Sequence, residues 1–210
     1  RQGITADVQR MAGVRYDAQG GAHVQHVARY WDAPEPCPCG YEVMREGRAP
    51  SAMAGGQRGV ASFGGAEGYQ TIVVTRDARE AMAYASLSDS SEHGRTLYIS
   101  TGGDPSDYGR QHLADLAREH PGAIFVMAHS QTPGGERDAA ELTQLVAAER
   151  ARIGAQPGVE RHAPPVEHVR DKGQTREART WSDQAAAEAG AVERVEAPEQ
   201  DRERSRGLDI

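Results

Sequence analysis

The chain has 210 residues, 38% of them hydrophobic and 5% aromatic, with a formal net charge of −7. That length covers one domain with extensions or two small ones, with a core built from Val, Ile, Leu, Ala and Met. The acidic balance excludes a general attraction to nucleic acid, so any such contact needs a local basic patch, and a mean hydropathy of −0.69 points to a solvated tail.

In chain order, residues Ile4 to Gly13 form a helical pattern with Thr5 as N-cap. β-type segments follow at Gly13–Tyr16, Ala22–Val27 and Gly40–Met44, the first two joined by a hairpin turn over Asp17–Gly21. Pro34, Pro36 and Pro38 make the approach to the third a rigid loop. We assign 1–62 to a small β-rich lobe packing on the core. Cys37 and Cys39 are too close for a relaxed disulfide and too few for a four-thiolate zinc site. With His23 and His26 they would make a two-plus-two ligand set at unusual spacing, and the favoured reading is two reduced thiols in a cytosolic loop. There is no signal peptide and no apolar run of membrane-spanning length. The expected location is cytoplasmic, without membrane contact. As the chain opens on Arg1, we expect a piece of something longer, fused to further domains.

After a loop excursion over 45–68, with a short strand near Val60–Ser62, one unit recurs three times. Apolar runs at Thr71–Thr75, Thr96–Ser100 and Ala123–Ala128 are each followed by helical spacing, over Asp77–Ser86, Ser106–His120 and Gly134–Arg152. Gly158–His162 is a candidate fourth strand. Such alternation predicts an α/β domain over 63–165, a parallel sheet of about four strands flanked by helices. Residues 166–210 read as a polar C-terminal tail, partly disordered, with Trp181 its large apolar residue and Ala185–Glu196 its helical stretch.

Ligands of parallel sheets bind beyond the C-terminal strand ends, here 75–77, 100–104 and 129–132. These loops carry few catalytic groups. A Ser-His-Asp set from Ser130, His129 and Asp104 lacks a nucleophile elbow. Thr101–Asp104 offers amides for a phosphate at a helix start, without the Lys of a P-loop. Glu80, Glu136 and Asp138 open helices, where acids are favoured in any case.

Together these loops resemble the Toprim domain shared by topoisomerases and primases, in the form found in plasmid primase and relaxase (mobilisation) proteins. The resemblance rests on Val73-Val74-Thr75-Arg76-Asp77-Ala78, on Thr96–Gly103 with its Gly-Gly turn, and on Ala128–Ala140. It extends to Gly21–Val24, Gly40–Val43, Ala54–Val60 and Arg179–Asp183. It implies a Toprim-like (Rossmann-like) sheet and partners among DNA or other conjugation proteins.

The departures fall on the chemistry. The family's catalytic Glu corresponds to Arg76, and its two magnesium-binding Asp to Ser130 and Thr132. Exchanging acids for a fixed positive charge removes the cage that holds the cation, so we expect no cofactor and no catalytic residue. Arg76, Gly102, Gly103, Ser130, Thr132, Arg58 and Arg137 are the candidates for phosphate binding. If the chain is nonetheless a metal-dependent phosphodiester enzyme, Glu80, Asp104, Glu136 and Asp138 are the substitute acids. In the third reading Arg76 pairs with Glu80 or Asp104 and the domain is a protein-interaction scaffold.

Overall fold

The computed structural model describes residues 3–28, 36–45, 51–52, 59–66, 68–164, 167–171, 174–178, 180–189 and 193–194. The first helix, α1 (Ala6–Met11), starts at Thr5, whose hydroxyl accepts from the Val8 N–H. An antiparallel sheet follows, built from β1 (Arg15–Tyr16), β2 (Ala22–Ala28), β3 (Cys37–Met44) and β4 (Ser51–Ala52) in that order. The β1–β2 turn is held by Asp17, whose Oδ1 accepts from the Gln19 and Gly21 amides at 2.9 and 2.7 Å.

The α/β unit is the expected one, with a fifth strand added at one edge. Its strands are β5 (Ala61–Gly64), β6 (Thr71–Thr75), β7 (Thr96–Ser100), β8 (Ile124–Met127) and β9 (Val159–Arg161), in the spatial order β5-β7-β6-β8-β9. β6, β7, β8 and β9 run parallel, and β5 joins β7 antiparallel at the edge. The helices are α2 (Ala78–Leu87), α3 (Asp107–Glu119) and α4 (Pro133–Arg152).

Side-chain alternation puts a core on each face of the sheet. Ile72, Val74, Leu97, Ile99, Phe125 and Met127 meet α3 and α4, in one cluster with Leu113, Leu142 and Val146. Val73, Tyr98 and Val126 point the other way, against Ala78, Met82 and Ala85 of α2. α2 therefore leaves β6 to one face, whereas α3 and α4 leave its neighbours β7 and β8 to the other, and the crevice of such a sheet lies where the connections diverge.

In the C-terminal region, β10 (Glu167–Asp171) and β11 (Gln174–Ala178) form an antiparallel pair that β12 (Glu193–Arg194) joins, and α5 (Trp181–Glu188) follows β11. The helix expected over 185–196 thus begins four residues earlier, at Trp181. The reason is tertiary: the buried Trp181 packs edge-on to Tyr84 of α2, centroids 4.7 Å apart, and its indole N–H donates to the Ala128 carbonyl at 3.0 Å. Among the described residues, no helix is long and apolar enough to cross a membrane.

Candidate functional site at the strand ends

Three helices begin where three parallel strands end, each capped by the side chain just before it. Asp77 accepts from the Glu80 N–H, Ser106 from Gly109 and Thr132 from Gly135. Thr132 is therefore occupied as a cap. Ser130 is buried, and its carbonyl accepts from the Thr132 amide at 2.9 Å.

Arg76 leaves the end of β6 into a ring of alternating charge. Its Nη2 donates to Asp104 Oδ1 at 2.6 Å, and its Nε lies 3.4 Å from Asp138 Oδ2. Arg137 closes the ring, with Nη2 3.6 Å from Asp104 Oδ1 and Nε 3.7 Å from Asp138 Oδ1. The two acids differ in exposure. The Asp138 side chain is 2% exposed, on α4, whereas that of Asp104 is 59% exposed, on the β7–α3 loop. Burial pushes the Asp138 carboxyl above its usual range, and the Arg76 guanidinium works against that.

Of the sequence-derived candidates, Arg76, Arg137, Asp104 and Asp138 thus come together. Glu80 and Glu136 do not join them. Glu136 pairs with Arg161 at 2.7 Å. Glu80 is buried and turned to α5, where it accepts from the Trp181 amide at 2.6 Å and the Ser182 hydroxyl at 2.7 Å. Burial raises its pKa, and the Ser182 and Trp181 hydrogen bonds resist that rise. Of the two partners foreseen for Arg76, Asp104 is realised. Arg58 lies outside the described residues.

The glycine turn differs from expectation as well. The Gly102 amide donates to Ser100 Oγ at 3.1 Å and the Gly103 amide to the Arg76 carbonyl at 2.7 Å. Both donors are consumed in shaping the loop, so neither amide points at a ligand. Gly102 has φ 68°, and a Cβ there would meet the His26 ring at 2.4 Å, so both backbone and space demand glycine.

His129, just past β8, is fully buried, and neither ring nitrogen has a hydrogen-bond partner among the described residues. Burial, reinforced by the Arg161 and Arg76 charges, lowers its pKa to about 3. The imidazole is therefore neutral at physiological pH, and the Ser130–His129–Asp104 triad is not assembled.

A second buried network joins the N-terminal sheet to the site. Glu42 of β3 accepts from the Ala78 amide at 2.8 Å and Ser100 Oγ at 3.1 Å, and its Oε2 lies 3.1 Å from His26 Nε2. His26 Nδ1 faces the Gly59 carbonyl at 3.2 Å, which can only accept, so that nitrogen carries a proton. Crowding with Glu80 and Glu42, after desolvation, raises Asp77 well above the ordinary carboxylate range. The sequence reading missed this network; the signal available to it was an acid beside Val43 and Met44 in a strand that had to be buried. His23 meanwhile pairs with Asp17 at 2.9 Å, so the histidines do not join Cys37 and Cys39.

Magnesium does not suit this donor set. The three positions that the resemblance matches to acids present a guanidinium, a buried serine and a capping threonine, and the carboxylates within reach, Asp104 and Asp138, are bound to two arginines. Among the described residues no group of three His, Cys, Asp or Glu is arranged to hold a metal ion.

No protein-family model and no curated protein matches the chain. Among solved structures, the chain is similar to one of the bacteriophage T7 lagging-strand DNA polymerase interacting with primase domains of two gp4 subunits bound to an RNA/DNA hybrid and dTTP. The TM-score is 0.43 and the identity 13%, over 69% of this chain and 71% of that one. So distant a likeness carries no functional argument.

Proposed function

We propose that the chain is a non-catalytic Toprim-like module of a plasmid mobilisation or primase-type protein, and that it binds DNA through the phosphate backbone. The observation that carries this reading is the pair of guanidinium groups, Arg76 and Arg137, converging at the strand ends on one exposed carboxylate oxygen. Guanidinium forks bind phosphate directly and need no bridging cation. The replacement of the family's acids supports the absence of catalysis, since an arginine at the first strand end repels the metal that the reaction would use.

Fluorescence anisotropy with single- and double-stranded oligonucleotides, repeated across salt concentrations, tests this. We expect binding at low salt that weakens with a log–log slope of about −2 on duplex, the value for roughly two neutralised phosphates, and a loss of affinity in Arg76→Ala. Absence of binding at low salt overturns the reading. The protein-docking scaffold would then stand, favoured by the same ring, because an arginine already neutralised by Asp104 and Asp138 needs no phosphate.

A further inference from the structure

The ring has a built-in asymmetry. Asp138 is buried on a twenty-residue helix, and its place is fixed by the packing of α4. Asp104 is more than half exposed and follows Gly102 and Gly103, whose φ angles are 68° and 111°. The loop is pinned up to Gly103: the Gly103 amide donates to the Arg76 carbonyl, and Thr101 Oγ1 donates to the Gly103 carbonyl at 2.8 Å. Asp104 is the next residue, and the contacts of its carboxylate described above are with the two arginines. A Cβ placed on Gly103 would meet nothing within 4 Å, so the space beside the turn is open.

We propose that Asp104 is an internal stand-in for a phosphate group, and that the ring is an anion site which fills when Asp104 swings out and a phosphate oxygen takes its place between Arg76 and Arg137. Ligand exchange here is cheap in one direction. An exposed carboxylate–guanidinium contact is worth at most about 1 kcal/mol, whereas a phosphate offers more oxygens and more charge to the same two forks. Asp138 stays in place and keeps Arg76 aimed at the vacated position. The fully buried His129 feels the Arg76 charge, and both its ring nitrogens are unpartnered among the described residues. The inference deepens the DNA-binding reading and rests on it for the source of the phosphate, but the site itself responds to the free anion too.

The test compares wild type, Asp104→Asn, Asp104→Asn combined with Arg76→Ala, and Asp107→Asn. Each is titrated with inorganic phosphate by phosphorus NMR and with a short single-stranded oligonucleotide by anisotropy. Asp107 sits at the start of α3 with its side chain fully exposed, so its variant carries the same change of charge close by without opening the ring. We expect Asp104→Asn to bind phosphate up to about fivefold more tightly than wild type, the double variant to lose that gain, and Asp107→Asn to match wild type. Equal affinities in wild type and Asp104→Asn overturn the proposal, as does a gain that survives Arg76→Ala or appears in Asp107→Asn. The oligonucleotide arm judges the DNA reading separately. If Asp104→Asn gains phosphate affinity while neither protein binds DNA, the anion site stands and the nucleic-acid reading falls. If wild type binds DNA but Asp104→Asn changes nothing in either titration, the converse holds.

Discussion

Two arginines mark the two ends of the parallel sheet. Arg76 stands at the C-terminal end, a third exposed, with carboxylates as partners. Arg150 stands at the opposite end, 1% exposed, and takes backbone carbonyls instead. Its Nη1 donates to the Pro157 carbonyl at 2.8 Å, its Nη2 to those of His120 and Ala123, and the guanidinium carbon lies 5.0 Å from the centre of the Phe125 ring. It ties the turn entering β8 to the loop entering β9. Burial lowers its pKa, but too little to discharge an arginine at any ordinary pH. One guanidinium is locked in carbonyls and structural. The other is held between a buried carboxylate, Asp138, and an exposed one, Asp104.

Removal of Arg150 is therefore the harshest way to break the comparison. Arg150→Ala leaves several carbonyls buried without donors and a cavity beside Phe125, and we expect a loss of about 4 kcal/mol in urea unfolding. Arg150→Lys recovers part of this, since one ammonium cannot reach two loops at once. Next comes Trp181, which docks the C-terminal helix on the same face as α2. Trp181→Ala should cost about 3 kcal/mol and free the Ala128 carbonyl, with amide-exchange protection falling over α5 first.

His129 gives a pH-dependent version. Its pKa is about 3 in the folded chain against 6.5 in a free imidazole, so the unfolded chain binds the extra proton first as pH falls. The stability that this neutral histidine contributes is complete above pH 6.5 and is lost as pH drops toward 3, at a limiting rate of about 1.4 kcal/mol per pH unit. Glu80 and Asp77 act oppositely: their folded pKa values are raised, so their effect on stability is most favourable below the ordinary carboxylate values and is lost as pH rises through the folded ones. Subtracting the pH profile of His129→Leu from that of wild type isolates the histidine. A flat difference between pH 4 and 6.5 contradicts the burial argument.

The sheet was legible in the sequence because burial on both faces turns its strands into unbroken apolar runs, and the caps Asp77, Ser106 and Thr132 mark where the helices begin. α5 was misplaced because its stabilisation is not local. Thr180 caps the helix locally, but Trp181 has few apolar neighbours in sequence, and Glu80, which accepts from its amide, is 101 residues away. The ring was half legible. All four members were named, and the Arg76–Asp104 pair was foreseen, but Asp138 was read as a substitute acid and Arg137 as a phosphate-binding candidate, not as ion-pair partners. Spacing along a chain reports which residues share a helix face. It does not report which helix starts lie side by side at the end of a sheet.

The smallest expected effect is the most discriminating. Arg76→Ala removes a partly exposed group whose partners have other contacts: Asp104 faces solvent and Arg137, and Asp138 keeps Arg137 at 3.7 Å. A structural arginine of the Arg150 kind would cost several kcal/mol, whereas exposed ion pairs contribute up to about 1 kcal/mol. We expect a loss of about 1 to 2 kcal/mol in urea unfolding, more than an exposed pair alone gives, because the buried Asp138 carboxyl loses the charge that opposes its raised pKa. Relative to wild type the variant should regain stability as pH falls, since a protonated Asp138 no longer misses the arginine. A loss of 3 kcal/mol or more would erase the distinction between the two ends of the sheet and make Arg76 a structural residue.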